Sequence, residues 1–237
     1  MSKREAIRER RRKQKQQQRL VTIMVIAGFA LIAVALIMLP ALQRNLATVG
    51  DFTQPELNPR PMADGNAMGD PNAPVQIIEY SDLGCSHCAD FAQSSGELIA
   101  TDYVATGQVH FVSRSVGNLL NNANTQLAAE AAYCAADQNK YWEYTDIVFA
   151  NQSLLFYGGI NAIDNYLKAF AESLNLDMKQ FDNCFDNHQF RQQVLTDGSD
   201  ARAAGVNSTP SFLINGELVV GNLPYEQLQA YITQSGN

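Results

Sequence analysis

Residues 69–91 read GDPNAPVQIIEYSDLGCSHCADF, and this stretch decides the fold. Residues 75–80, VQIIEY, form a short β-branched apolar run that predicts a buried strand. Ser81, Asp82, Leu83 and Gly84 make a turn, with Asp82 as a turn former. Cys88, Phe91, Ala92, Leu98, Ile99 and Tyr103 then recur at helical spacing, which puts Cys85 at or near the first turn of a helix. Working outward, residues 109–113 predict a second strand, and residues 124–202 are alanine-rich and helical in several segments. After Pro210, SFLI and ELVV flank Asn215-Gly216, the strongest short hairpin signal. A last helix is expected over 224–232, with Pro224 at its permitted first turn. The order is strand, helix, strand, a helical block over about 122–204, hairpin, helix: an α/β sheet with a helical insertion.

Upstream the chain changes character. Residues 1–19 hold nine Lys/Arg against Glu5 and Glu9, a net +7, so with a formal charge of −7 overall the remainder carries −14. An acidic body repels phosphate backbones, which argues against nucleic-acid binding by the folded part. Residues 20–39 are an uncharged apolar run ending at Pro40. At about 1.5 Å per residue such a run reaches roughly 30 Å, the thickness of a bilayer's hydrocarbon core. Arg8, Arg10, Arg11, Arg12, Lys13, Lys15 and Arg19 precede it, while only Arg44 and Arg60 come soon after it. The positive-inside rule then leaves the N-terminus in the cytoplasm and exports the chain beyond Pro40. A cleaved signal peptide has a shorter core, about 7–15 residues, and a small-x-small site. The longer run favours an uncleaved single-pass signal-anchor over 20–40. Six of the eight prolines lie between Pro40 and Pro74, so residues 41–73 are expected to be an extended linker and the domain to occupy 74–237.

Cys85-Ser86-His87-Cys88 is a C-x-x-C pair at a helix N-terminus. There the first thiol sits at the exposed end and the second lies one turn in. Unpaired amides and the partial positive charge of the helix end favour thiolate over thiol at Cys85. His87, when protonated, adds to that bias. Zinc sites also use C-x-x-C, but structural zinc wants a second ligand pair. Cys134 and Cys184 are widely spaced, and His87, His110 and His188 complete the histidines. Redox chemistry is the stronger of the two readings, and export to an oxidising compartment strengthens it. An envelope metal-binding protein stays open as a third class.

Residues 69–91, then KYWEYTDIVFANQ (140–152), then GVNSTPSFLING (205–216), together resemble the DsbA-like oxidoreductases of thioredoxin fold, from about Gly69 to the C-terminus. The resemblance implies a thioredoxin-like α/β fold carrying a helical insertion, behind one N-terminal transmembrane helix, in a bacterial cell envelope. It implies a disulfide donor, with no cofactor or metal, in which a substrate thiolate attacks Cys85 and Cys88 is the buried partner. Its substrates are exported proteins with free cysteines, and a quinone-linked membrane protein reoxidises it. An isomerase or reductase of the same fold is the alternative. Related isomerases carry an N-terminal dimerisation domain, which about thirty linker residues cannot supply, so a monomeric oxidase is expected. The resemblance also implies that Thr209-Pro210 is the cis-proline loop facing the cysteines, since an X-Pro bond tolerates cis at about 0.5–1 kcal/mol. It places a buried acid at Glu79, expected to tune or relay the proton of the pair, against the simpler reading of an exposed acid at a strand end. Finally, it implies a structural disulfide between Cys134 and Cys184, against two free buried thiols. Trp142 and its aromatic neighbours read as core. The formal glycosylation sequons at Asn151 and Asn207 read as chance.

Overall fold

The computed structural model describes residues 15, 18–36, 38, 49–58, 60–117, 119, 122–160 and 162–236. The basic tail apart from Lys15 and Arg19, the end of the apolar run at residues 39–40, and residues 41–48 of the expected linker lie outside the described residues. The chain divides into two units, Met1–Thr48 and Val49–Asn237. In the first, helix α1 (Gln18–Leu36) has a mean hydropathy of 2.4 and is long and apolar enough to cross a membrane.

The second unit is built on a five-stranded sheet in the order β1-β3-β2-β4-β5. Its strands are β1 (Ala67–Met68), β2 (Val75–Ser81), β3 (Val109–Ser115), β4 (Ser211–Ile214) and β5 (Glu217–Val220). β2 pairs parallel with β3 and antiparallel with β4, so it has a neighbour on each edge. Covered on both faces as well, it needs the near-continuous apolar run seen in its sequence. Parallel pairing sets Val75, Ile77, Glu79 and Ser81 beside Val109, Phe111, Ser113 and Ser115. Side chains alternate across a strand, so these eight share one face. That face is apolar at the start of the strands and polar at their carboxyl ends. The opposite face buries Tyr80 with Val116, Ala201 and Val206. In the β4–β5 hairpin, Asn215 (φ 47°) and Gly216 (φ 88°) both take the positive φ that a tight two-residue turn requires.

The helix after the cysteines is broken. α2 (Ser86–Ala92) and α3 (Ser95–Ile99) are separate, and a π-helical turn over Ala100–Val104 comes next. The helical block comprises α4 (Ala123–Ala136), α5 (Tyr141–Ala150), α6 (Ile163–Ser173), α7 (Met178–Asp186) and α8 (Arg191–Ala203), with a π-helical turn at Ser153–Tyr157. Cys134 of α4 is bonded to Cys184 of α7, their Cα atoms 5.8 Å apart. α9 (Tyr225–Ser235) closes the domain with Pro224 as its N-cap, one position earlier than expected.

The expected linker over 41–73 needs correction. From residue 49 the chain packs against the domain. Phe52 packs against Phe170, the rings tilted by 57° with 4.8 Å between centroids. The backbone of Thr53 exchanges two 2.8 Å hydrogen bonds with the side-chain amide of Asn151. Asn58 bonds Glu97, Arg60 pairs with Asp146 at 2.9 Å, and β1 pairs antiparallel with β3. Proline removes a ladder hydrogen bond, not packing. A strap held through side chains carries no periodicity by which to recognise it.

Candidate active site

Cys85 is the N-cap of α2, and its N–H donates to Asp82 O at 2.9 Å. Asp82 Oδ1 in turn accepts from Gly84 N at 2.8 Å, the turn-forming role its position suggests. Gly84 has no room for a side chain: a Cβ there would lie 2.4 Å from Thr125 Cγ2. Cys85 is half-buried, Cys88 is fully buried, and both are free thiols in this structure.

β4 begins where β2 ends, Ser211 lying opposite Tyr80. The preceding loop therefore reaches the active-site turn. Its Thr209-Pro210 bond is cis, and the Cys85 thiol donates to Thr209 O at 3.3 Å across a sequence separation of 124. Thr209 Oγ1 is buried with no partner of its own. It also lies near enough to the sulfur to favour the thiolate.

The two sulfurs are driven apart in acidity. Cys85 is lowered to about 5, chiefly by its hydrogen bond from Cys88; burial opposes this, and Thr209 with the amides of Cys88 and His87 adds to it. Cys88 is pushed well above the ordinary thiol range by burial, then by Cys85 beside it. What His87 contributes is therefore its backbone N–H. Its imidazole points to solvent, with Nδ1 3.8 Å from Asp90 Oδ2.

Glu79 lies beneath the pair on the polar end of the sheet face and is buried, not exposed at a strand end. Burial pushes its carboxyl up to about 7, against the hydroxyls of Ser113 and Ser81 and the charge of Arg60. Its charge in turn raises Cys88. Ser81 Oγ is buried without a partner of good geometry and biases both Glu79 and Cys88. A cavity of about 30 Å³, room for one or two waters, is lined by Arg60, Glu79, Ser81, Ser113 and Asp146 among others. Arg60 and Asp146 pair there with side chains only 8% and 11% exposed, and burial lifts the Asp146 carboxyl to about 6.

Sequence reasoning misses Arg60, Ser81 and Asp146, and also Gln152 and Tyr157, which bond the backbone of the active-site turn. Arg60, Asp146, Gln152 and Tyr157 act over long sequence separations, for which the sequence carries no local signal. Among the described residues, no group of three or more His, Cys, Asp or Glu side chains converges to hold a metal ion.

A parallel strand pair ending at a helix-capping C-x-x-C, with a cis-proline loop against the first sulfur, defines a thioredoxin-type domain, here carrying a helical insertion. The chain belongs to the thioredoxin family: the family described as Thioredoxin matches residues 62–234. A Na(+)/H(+) antiporter NhaA 1 of Salinispora arenicola is 30% identical over 167 residues, which is 70% of this chain and 24% of that protein. The chain thus spans about a quarter of the length of such relatives. The probable disulfide bond formation protein D of Bacillus cereus is 24% identical over 153 residues, covering 64% of this chain and 70% of that one. Among solved structures, Wolbachia pipientis alpha-DsbA1 shares the fold with a TM-score of 0.64 at 23% identity, over 75% of this chain and 93% of its own. Oxidised Bacillus subtilis BdbD does so at 0.61 and 19% identity, over 76% and 97%.

Proposed function

We propose that the chain is a membrane-anchored protein-disulfide oxidoreductase that donates disulfides outside the cytoplasm, Cys85 exchanging and Cys88 serving as its partner. The observation that carries this is the Cys85 sulfur, capping α2 against the cis-proline loop with its pKa lowered to about 5. A stable thiolate is a good leaving group, so a disulfide made to it is readily passed on.

In the oxidised form a substrate thiolate attacks Cys85 Sγ. The Cys85–Cys88 bond breaks and its electron pair leaves on Cys88. That buried sulfur strongly favours the protonated form. Glu79, with its carboxyl near 7, is the proton donor, and Ser81 is the group beside both. The substrate's second thiolate then attacks the substrate sulfur of the mixed disulfide, and the electron pair leaves on Cys85. Two electrons pass from the substrate dithiol to the pair. Of the two protons released by the substrate dithiol, one restores the proton Glu79 gave to Cys88, and the other stays in solvent because Cys85 remains a thiolate. The Thr209 backbone lies where a substrate chain would run past the sulfur.

Helix α1 is the anchor in this proposal, with the N-terminus cytoplasmic and the domain on the far side. Its substrates are exported proteins with free cysteines. A quinone-linked membrane protein reoxidises it, and it works as a monomer. The Cys134–Cys184 bond is structural.

The test is the reduction potential of the Cys85–Cys88 pair in glutathione buffers, with Cys134–Cys184 left intact. A value near −120 mV, that of a strong oxidant, is expected, whereas one near −270 mV would make the protein a reductase. For Glu79, the expected outcome is that Glu79→Gln removes a step near neutrality from the pH profile of disulfide exchange; an unchanged profile rejects the relay.

A further inference from the structure

Three consecutive backbone carbonyls lead into α2, and all three are held from one place. Gln152 Nε2 donates to Leu83 O at 2.8 Å and to Cys85 O at 2.9 Å. Tyr157 Oη donates to Gly84 O at 2.9 Å. Both donors belong to the turn after α5, 67 to 73 residues from their acceptors. Both of Gln152's contacts here are carbonyl acceptors, which fixes the nitrogen of its amide on that side. Gln152 is buried, and a buried amide is costly unless bonded. Its donor nitrogen is committed to the active-site turn.

A peptide unit is planar, so fixing a carbonyl oxygen fixes the next residue's N–H on the opposite side. Holding Leu83 O aims Gly84 N–H, which meets Asp82 Oδ1, and holding Gly84 O aims Cys85 N–H, which meets Asp82 O. Cys85 O also accepts from Cys88 N at 3.1 Å and Ala89 N at 3.2 Å, so its third donor braces the first turn of α2. The amides of His87 and Cys88 in that turn face the sulfur. A carbonyl oxygen carries partial negative charge. Without their donors the Leu83 and Gly84 carbonyls are free to rotate toward the thiolate that those amides stabilise, and Cys85 O is left with its two helix bonds alone.

We propose that Gln152, supported by Tyr157, is a positioning residue for Cys85, holding the 83–85 carbonyls toward the helical insertion so that the turn presents its amides, not these three oxygens, to the sulfur. This rests on Cys85 being the reacting thiolate, but not on the direction of disulfide exchange. The helical insertion thereby acts on the chemistry directly, and its link to the turn is partly at the surface, since Tyr157 is exposed.

The test is a titration of Cys85 by thiolate absorbance, with its rate of alkylation, on the reduced full chain in detergent with Cys134–Cys184 intact. Gln152→Met keeps the side chain's length and removes its donor. It is expected to raise the Cys85 pKa by about one unit, a tenfold lower thiolate-to-thiol ratio. Tyr157→Phe is expected to raise it by less. Asn151→Ala is the control. It strips the bonds from the neighbouring side chain to Thr53 and Ile147, so it is expected to cost stability and leave the titration unchanged. A Gln152→Met titration that superimposes on the wild type overturns the proposal, whatever the loss of stability. If that variant does not fold, Tyr157→Phe decides: a raised pKa supports the clamp and an unmoved one overturns it. A reducing potential for the pair would sink the donor function and leave this titration valid.

Discussion

Replacing Glu79 by glutamine tests how the sheet face beneath the cysteines is held. The Glu79 carboxyl rises from 4.5 to about 7 because it is buried. The folded state therefore holds its proton over a range where the unfolded chain has released it. Its contribution is fully present below about pH 4.5 and is lost as pH climbs through about 7, a loss of about 3 kcal/mol. Asp146 adds a similar loss at lower pH, since burial lifts it from 3.8 to about 6. Glu79→Gln keeps the size of the side chain and a partner for Ser113 and Ser81, but cannot ionise. Stability relative to the wild type is then expected to be level below about pH 4.5 and to gain about 3 kcal/mol by about pH 8, with the Asp146 part common to both. The assay is urea unfolding at a series of pH values, monitored by the fluorescence of Trp142, the single tryptophan, buried in this domain. The Cys85–Cys88 pair is kept oxidised so that thiol ionisation does not enter. Parallel curves for the two proteins across this range would refute the assignment of the buried charge to Glu79.

Packing and pairing set three further outcomes. Replacing both Cys134 and Cys184 by serine is expected to cost roughly 4 kcal/mol in urea unfolding, from closure of a loop spanning 50 residues. The potential of the Cys85 pair is expected to stay put, and its movement would show that the two disulfides are coupled. Gly84→Ala is expected to destabilise by about 1–3 kcal/mol through contact with Thr125 Cγ2, and Thr125→Ser, which deletes that methyl, is expected to recover much of it. Arg60→Met is expected to cost about 3–5 kcal/mol near neutral pH, because it leaves Asp146 buried without its partner. The double variant Arg60→Met with Asp146→Leu is expected to regain most of that loss, and a double variant no better than the single would show that the strap, not the charge pair, was lost.

The parts of the fold visible in the sequence are those with a local cause. β2 announces itself by its β-branched run, and the hairpin by Asn215-Gly216, whose positive φ values only such residues take readily. The C-x-x-C spacing locates the helix start, and Cys85 is its N-cap. β1 is invisible because two residues have no period; it exists through its pairing with β3 and the bond from Asn66 to Ser113 O. Arg60 reads as a charge beyond the apolar run, yet it is buried against Asp146 and over Trp142. Gln152 reads as the middle of a chance sequon, because its partners lie 67 and 69 residues back along the chain. The legible half of the candidate site is thus the half that carries the sulfurs, and the illegible half is what holds it in place.

The contact between Cys85 and Thr209 spans 124 residues, and β4, which carries Thr209 to the site, comes after the entire helical block. Any chain made from its N-terminus therefore presents Cys85 and Cys88 long before the loop that faces them exists. Cys134 and Cys184 also emerge in that interval. Until the last strands add to the far edge of β2, Cys85 lacks the Thr209 hydroxyl that helps to lower its pKa. A chain cut short before residue 209 has the motif without that part of its environment. The tuned sulfur is a property of the finished protein, acquired near the end of its synthesis.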